Sequence, residues 1–218
     1  MTFSMSPSSF GVNYFEQLAH LSEQFEATDH QGHLLSFDQG VNQAAKIVAA
    51  QTRDQSNKVI FIGNGGSAAV ASHQAVDYCR NGGFRAISFN DGALLTCIAN
   101  DFGYEQVFSK PISMFAQPGD VLIAISSSGK SANIVAGVEQ ARKLGCFVIT
   151  LSAFKSDNPL RKLGSLNFYV PTQSYGFAEI THLSICHCIL DGLMKGFLPD
   201  FTENESPISE ASALEGTK

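Results

Sequence analysis

The sequence predicts an α/β domain: a three-layer sandwich in which helices flank a central five-stranded parallel sheet, with further helices at the N-terminus. Short continuous apolar runs recur along the chain, and such runs are typical of strands buried on both faces. Segments of helical length separate these runs, as is expected when parallel strands are joined by crossovers. Hydrophobic residues make up 44% of the 218 and charged residues only 16%, which suits extensive buried surface.

Five apolar runs are strand candidates, and most are followed by small or polar residues. They are residues 58–62, 86–89, 121–125, 146–151 and 166–170. The stretches that follow these runs predict helices. The helices are expected after the first strand's loop to about residue 80, around 91–99 and 104–115, from about 131 to 144, and from about 177 to 195.

The chain ahead of the first strand has apolar residues at helical spacing from Tyr14 to about Thr52. Gly32 and Gly40 interrupt this region, which predicts two helices joined by a turn. We expect a flexible N-terminus over residues 1–10, a single domain with its N-terminal helical region over 11–198, and a disordered acidic tail over 199–218.

Composition and charge argue against several classes of protein. The formal net charge is 14 minus 20, or −6, and no Lys/Arg run exceeds two residues, so a nucleic-acid partner is not expected. The start of the chain lacks the pattern of a signal peptide, and no apolar run approaches the roughly 20 residues that span a bilayer. We therefore predict a cytoplasmic protein without a membrane partner. The five cysteines contain no CxxC pair and are expected to be free thiols.

A serine-rich loop follows the third strand candidate. It reads Ser126-Ser127-Ser128-Gly129-Lys130-Ser131. A strand that ends in small residues and opens a helix presents unpaired N–H groups, and the helix dipole there favours an anion. Each serine hydroxyl can donate to a phosphate oxygen, and the glycine permits a tight turn. An ordinary polar turn with a helix cap is the alternative, but four serines in six residues favour a phosphate site.

A second loop of the same design follows the first strand candidate. It reads Gly63-Asn64-Gly65-Gly66-Ser67. It is not the dinucleotide fingerprint, because position 68 is alanine, and it is not a Walker A loop, because no Gly-Lys-Ser/Thr follows. A nucleotide-dependent enzyme is therefore poorly supported. Two anion-accepting loops at the carboxyl ends of parallel strands suit a ligand bound at that edge of the sheet.

The motifs together resemble a known family. GNGGS before a helix, then IANDFGYEQVFS and GDVLIAISSSGKSANIV, resemble the sugar isomerase (SIS) fold, a flavodoxin-like doubly wound sandwich. More narrowly, they are similar to the bacterial sedoheptulose 7-phosphate isomerases, also called phosphoheptose isomerases, from about residue 40 to 195. That family converts sedoheptulose 7-phosphate to D-glycero-D-manno-heptose 7-phosphate by enediol proton transfer, and supplies heptose for surface polysaccharide such as lipopolysaccharide.

The resemblance implies which residues contact a phosphorylated sugar. The phosphate ligands would be Ser126, Ser127, Ser128 and Ser131. The residues that line the sugar would be Asn64, Gly65, Gly66, Ser67, Asn100, Asp101 and Glu179. The resemblance also implies a homo-oligomer, a tetramer in the usual case, with active sites at subunit interfaces.

The resemblance further implies an acid–base pair, Asp77 and His187, and one zinc ion per subunit. The metal ligands would be His73, Asp77, Glu179 and His187. Two of these depart from the family pattern: aspartate stands at 77 in place of glutamate, and glutamate stands at 179 in place of glutamine. The shorter carboxylate puts the reach of Asp77 toward the substrate in question, whereas the extra charge of Glu179 favours a divalent cation.

Helical spacing is compatible with these assignments. His73 and Asp77 are four residues apart and share a helix face, and Glu179 and His187 are separated by about 80° around the last helix. His182 on the same helix is interpreted as a residue beside the site or in a subunit interface.

Two other functions remain open. One is a non-catalytic SIS protein that binds a phosphosugar or regulates another process, and carboxylates and histidines at all four acid–base and metal positions argue against it. The other is an isomerase of a different phosphosugar. The ANDFG segment and the absence of a second domain favour the heptose family over that alternative.

Overall fold

The computed structural model describes residues 9–52 and 56–195. The expected flexible N-terminus lies outside this range except for residues 9 and 10, and Phe10 already begins a helix. The expected acidic tail, residues 199–218, lies wholly outside the described residues. The described parts contain one sheet with helices on both faces, as the sequence predicts.

The elements alternate between strands and helices after an N-terminal hairpin. The helices are α1 Phe10–Ser22, α2 Phe37–Thr52, α3 Gly66–Arg80, α4 Gly92–Phe102, α5 Ser109–Phe115, α6 Ala132–Lys143 and α7 Tyr175–Met194. The strands are β1 Glu26–Asp29, β2 Leu34–Leu35, β3 Val59–Gly63, β4 Ala86–Ser88, β5 Val121–Ser126, β6 Phe147–Ala153 and β7 Leu166–Val170. Short 3-10 turns occupy Tyr104–Gln106 and Pro159–Lys162.

The sheet has seven strands in the order β2-β1-β7-β6-β5-β3-β4. Its last five, β7 to β4, are all parallel, which confirms the predicted five-stranded parallel sheet and its doubly wound order. The two extra strands are antiparallel and extend the sheet beyond β7. The prediction of two N-terminal helices joined only by a turn is therefore wrong in its middle section.

The hairpin escaped the sequence analysis because its strands are short and partly polar. Asp29 accepts hydrogen bonds from the backbone N–H groups of Gln31 and His33 through Oδ1, at 2.8 and 2.9 Å, which closes the turn. Gly40, interpreted as a helix interruption, instead lies inside α2. A Cβ there would stand 2.6 Å from the Cβ of Ala27, so glycine lets α2 pack closely on β1.

A capping box fixes where α2 begins. The Ser36 hydroxyl accepts from the Gln39 N–H at 3.1 Å, and the Gln39 side chain accepts from the Ser36 N–H at 2.9 Å. Because α2 begins only after Ser36, Leu34 lies outside it. Leu34 belongs to β2, although it stands within the stretch that was predicted to be helical.

The parallel strands β3, β5, β6 and β7 are buried on both faces except at Phe147, whereas the edge strand β4 is partly exposed. One apolar core lies between the sheet and α2, α3 and α7, and the other lies against α4, α5 and α6. β3 and β5 are direct neighbours, with Gly63 opposite Ile125 in the register. Their carboxyl ends therefore deliver the two predicted anion loops side by side. Among the described residues, none of the helices is both long enough and apolar enough to cross a membrane.

Candidate active site

The serine loop connects β5 to α6 through a tight turn. Gly129 has a φ of +62°, which glycine adopts without strain, and its N–H donates to the backbone oxygen of Ser126 at 3.0 Å. Ser126 and Ser127 are buried, and the hydroxyls of Ser126 and Ser131 lie 3.4 Å apart. Ser131 is the N-cap of α6, but its hydroxyl makes no capping bond. The loop therefore gathers hydroxyls at a helix N-terminus, which is the arrangement that binds an anion.

A buried asparagine supports the serine loop from behind. A Cβ on Gly129 would overlap the side chain of Asn158, and Asn158 donates to the Ser152 hydroxyl at 3.1 Å and to the Lys155 backbone oxygen at 2.8 Å. The Leu160 N–H also donates to the Gly129 oxygen at 3.0 Å. Sequence reasoning missed Asn158, because nothing local in the sequence connects it to a loop about thirty residues away.

The loop of residues 63–67, called the first loop from here on because it precedes the serine loop in the chain, connects β3 to α3. It makes close backbone contacts. A Cβ on Gly63 would stand 2.4 Å from the Ser67 backbone oxygen, and Gly65 has a φ of +53°. Ser67 is buried, whereas Gly65 is exposed and Asn64 and Gly66 are half-buried. The loop thus places Asn64 and the N-terminus of α3 at the same edge as the serine loop.

Glu179 lies against this first loop. Its carboxylate occupies the space that a Cβ on Gly66 would need, so the glycine is required for the close approach. The carboxylate sits near the N-terminus of α3, where the helix dipole stabilises negative charge. Glu179 therefore contacts the predicted sugar-lining loop and lies outside the cluster of the other predicted metal ligands.

The remaining three predicted metal ligands do form a cluster. Asp77 Oδ2 lies 3.2 Å from His73 Nε2 and 3.7 Å from His187 Nδ1, and the three side chains offer ligand atoms within 4.8 Å of one another. The two imidazole rings have centroids 5.5 Å apart. Two imidazoles and a carboxylate are ligands that zinc takes, so the donor set fits that metal with one position left for a fourth ligand.

A buried glutamine orients His187. Gln74 on α3 is fully buried, and its Nε2 lies 3.1 Å from His187 Nε2. The amide can donate to a bare Nε2 or, turned over, accept from Nε2–H, so the contact orients the ring in either tautomer and leaves Nδ1 facing Asp77. Asp77 Oδ1 accepts from Asn81 at 3.4 Å, so Oδ2 remains directed at the two histidines. Sequence reasoning missed Gln74, whose place one position after His73 gave no signal of its own.

The predicted residues Asn100 and Asp101 are less directly placed. Both are exposed on the last turn of α4, where the Asn100 amide donates to Asp101 Oδ1 at 2.9 Å. Tyr104, three residues further on, brings this segment to the first loop, because its hydroxyl donates to Asn64 Oδ1 at 3.4 Å. Tyr104 is therefore a residue at the site that the sequence analysis did not name.

His182 is buried in the core of this chain and is not part of the cluster. Its exposed fraction is zero, and neither ring nitrogen has a hydrogen-bond partner among the described residues. Burial lowers the pKa of His182 to about 4, and the nearby backbone of Ser152 offsets this only in part. The side chain is therefore neutral at physiological pH, and an interface position within an oligomer is not needed to explain it.

The fold and the two loops define a class of protein. A family model described as "SIS domain" matches residues 13–153, and the chain belongs to that family. The chain is 33% identical over 184 residues to the phosphoheptose isomerase of Yersinia enterocolitica, which covers 80% of this chain and 94% of that protein.

Solved structures agree with the sequence comparison. The structure is similar to a phosphoheptose isomerase from Francisella tularensis, with a TM-score of 0.75 and 26% identity over 88% of this chain and all of that one. The phosphoheptose isomerase GmhA from Neisseria gonorrhoeae matches with a TM-score of 0.73 and 26% identity, covering 86% of this chain and 99% of that chain. Within the SIS domain family, the chain belongs to the phosphoheptose isomerase family.

The neutral burial of His182 predicts an acid-dependent loss of stability. Between about pH 6.5 and pH 4 the unfolded chain protonates this imidazole and the folded chain does not, so the free energy of unfolding falls by about 3 kcal/mol as pH falls through that range. His182→Leu removes this contribution. Urea unfolding at pH 7 and at pH 4 should therefore show a smaller loss for His182→Leu than for the wild type. The exposed His30→Leu should follow the wild type, and parallel profiles for all three proteins would contradict the assignment.

Proposed function

We propose that the protein is an aldose–ketose isomerase that converts sedoheptulose 7-phosphate to D-glycero-D-manno-heptose 7-phosphate. Membership of the phosphoheptose isomerase family makes a sugar-phosphate isomerase the general activity. The observation that carries the specific proposal is the contact between Asp77 Oδ2 and His187 Nδ1, 3.7 Å apart, in a chain that also has a phosphate-type loop. An enediol mechanism needs a general base and a general acid, roles that a carboxylate and an imidazole can fill, and a site that binds the phosphate.

The serine loop would bind the phosphate. The protein carries a net charge of −6, so attraction for a dianion has to arise locally. The hydroxyls of Ser126, Ser127, Ser128 and Ser131 and the N-terminal amides of α6 supply it. The first loop, Asn100, Asp101 and Glu179 would then line the sugar, with Glu179 placed over Gly66.

Asp77 and His187 divide the proton transfers between them. One removes the proton from the carbon next to the carbonyl, and the other protonates the carbonyl oxygen. Asp77 is one methylene shorter than the glutamate that the resemblance leads us to expect. Its Oδ2 nevertheless lies within 4 Å of both histidines, which supports a working carboxylate at this position.

A zinc ion would be held by His73, Asp77 and His187, whereas Glu179, predicted from the resemblance as a fourth ligand, lies against Gly66 outside this set. When bound, the ion would polarise the substrate carbonyl or stabilise the enediolate. A cytoplasmic location stays a prediction from the sequence.

We further propose a homotetramer. Helix α1 buries only Leu21 and exposes the apolar side chains Phe10, Val12 and Phe15, each more than 60% accessible. Its main aromatic contact with the domain is Tyr14 against Phe177, with ring centroids 4.7 Å apart. An exposed apolar helix face of this kind is typical of an interaction surface, and other copies of the chain would cover it.

Turnover measurements test the acid–base assignment. Wild type should isomerise sedoheptulose 7-phosphate, and Asp77→Asn and His187→Ala should each lower kcat by about a hundredfold or more, because each removes a proton-transfer group. Asp77→Glu should retain activity, since it restores the carboxylate that the family resemblance implies. The exposed Glu139→Gln is the matched control and should behave as wild type. Wild-type kcat in both Asp77→Asn and His187→Ala would refute the assignment, and phosphosugar binding without turnover would favour the non-catalytic alternative.

Metal content provides a separate test. The purified protein should bind about one zinc per chain, as expected for a site of two imidazoles and a carboxylate. His73→Ala and His187→Ala should lose the zinc, whereas Glu179→Gln should retain it, because Glu179 lies outside the cluster. Elemental analysis after dialysis against a weak chelator measures this without reference to activity. Equal zinc content in the wild type and both histidine variants would show that the cluster is not the metal site.

The oligomeric state can be measured by light scattering. The expected mass is about four times the 23.4 kDa of the chain. Phe15→Glu should lower that mass, because a charge on the exposed face of α1 opposes burial in a partner. Glu16→Gln, which also changes one charge but at an exposed polar neighbour, should leave the assembly intact. A wild-type mass of one chain would contradict the proposal.

A further inference from the structure

Two side-chain amides join the two loops of the site. Asn64 Nδ2 donates to Asn133 Oδ1 at 2.9 Å, and Asn133 Nδ2 donates back to Asn64 Oδ1 at 2.8 Å. Asn64 directly follows β3, and Asn133 is the second residue of α6, immediately after the serine loop. The reciprocal pair therefore connects the loop that would line the sugar to the loop that would hold the phosphate.

The orientation of both amides is set by a third and a fourth hydrogen bond. The backbone N–H of Ile134 donates to Asn133 Oδ1 at 3.0 Å, and the Tyr104 hydroxyl donates to Asn64 Oδ1 at 3.4 Å. The Ile134 N–H can only donate, so Asn133 cannot exchange its oxygen and nitrogen without losing that bond, and Asn64 has to match Asn133 through the reciprocal pair. The main chain of α6 thereby fixes Asn133, and Asn133 in turn fixes which way Asn64 presents its second N–H.

The two asparagines differ in their access to a ligand. Asn133 is 3% exposed, whereas Asn64 is half-buried at the loop surface. Hydrogen bonds in such buried surroundings are strong, and an amide left unpaired there is strongly unfavourable. Asn133 is thus placed to act on Asn64 and not on a sugar directly.

We propose that Asn133 is a positioning residue, which holds Asn64 and the first loop at a fixed distance from the serine loop. The proposal rests on the proposed isomerase function, because it concerns the separation between a held phosphate and the reacting carbons. Without the Asn133 side chain, the first loop loses the two hydrogen bonds between Asn64 and α6. A displacement of about 1 Å in the groups that orient a substrate can lower turnover by about a hundredfold.

The test is a double-mutant cycle of wild type, Asn64→Ala, Asn133→Ala and the double variant. Asn133→Ala should lower kcat for sedoheptulose 7-phosphate by about tenfold to a hundredfold. The double variant should be no slower than Asn64→Ala alone, within about twofold, because Asn133 acts through Asn64. The Kd for inorganic phosphate should change by less than about threefold, since the serine loop keeps its hydroxyls and amides.

A matched control comes from a buried asparagine at the opposite end of the sheet. Asn167 is 2% exposed near the start of β7, where it accepts from the Thr150 hydroxyl at 2.8 Å and from the Gly164 N–H at 2.9 Å. Asn167→Ala should lower thermal stability and leave kcat unchanged. Added to Asn64→Ala, it should likewise leave the kcat of that variant unchanged. If Asn133→Ala does not fold, Asn133→Ser takes its place, because serine is too short to reach Asn64 but keeps a hydroxyl at the start of α6.

The outcomes separate this proposal from the proposed function. The positioning role would be overturned if Asn133→Ala had the kcat of the wild type. It would also be overturned if the fold-losses in kcat of the two single variants multiplied in the double variant. Neither result would contradict the proposed isomerase function. If the wild type has no turnover, the proposed function fails, and the cycle is measured by calorimetric binding of sedoheptulose 7-phosphate. The same non-additive pattern in binding would then support the positioning role, and multiplying losses or no binding at all would overturn it.

Discussion

With a net charge of −6, the chain can hold a phosphate dianion, as proposed, only where its own groups create a local positive potential. Hydroxyls and main-chain N–H groups at the start of α6 would supply that potential without a basic patch. The parallel pairing of β3 with β5 places the first loop beside the serine loop. Glycine at 129 and Asn158 behind it hold the serine loop in its turn. In the proposed function, the phosphate held by this loop would set the position of the sugar.

The sequence predicts the parallel core well because buried strands leave a direct signature. Runs such as 121–125 are apolar throughout, and the strands of the structure fall within a residue or two of the predicted ones. The N-terminal hairpin leaves no such signature. Glu26–Asp29 is short and half polar, and its pairing partner β7 lies about 140 residues away, so only the folded chain identifies it as a strand.

The residues of the candidate site also divide into those with a local sequence signature and those without one. The serine loop and the spacing of His73 and Asp77 are local patterns, so the sequence reveals them, and the family resemblance connects them to His187. Residues that act through distant partners give no local pattern. Asn133 pairs with Asn64 across 69 positions and Gln74 contacts His187 across 113, which is why neither was named beforehand. Glu179 was named, but its distance from the histidine cluster depends on the shape of the first loop.

The most direct measurement is a crystal structure with bound sedoheptulose 7-phosphate, using a slow variant such as His187→Ala. We expect phosphate oxygens at about 3 Å from the hydroxyls and amides of residues 126–131, with the sugar carbons extending toward Asp77. A phosphate bound away from that loop, with the loop empty in the same crystal, would contradict it.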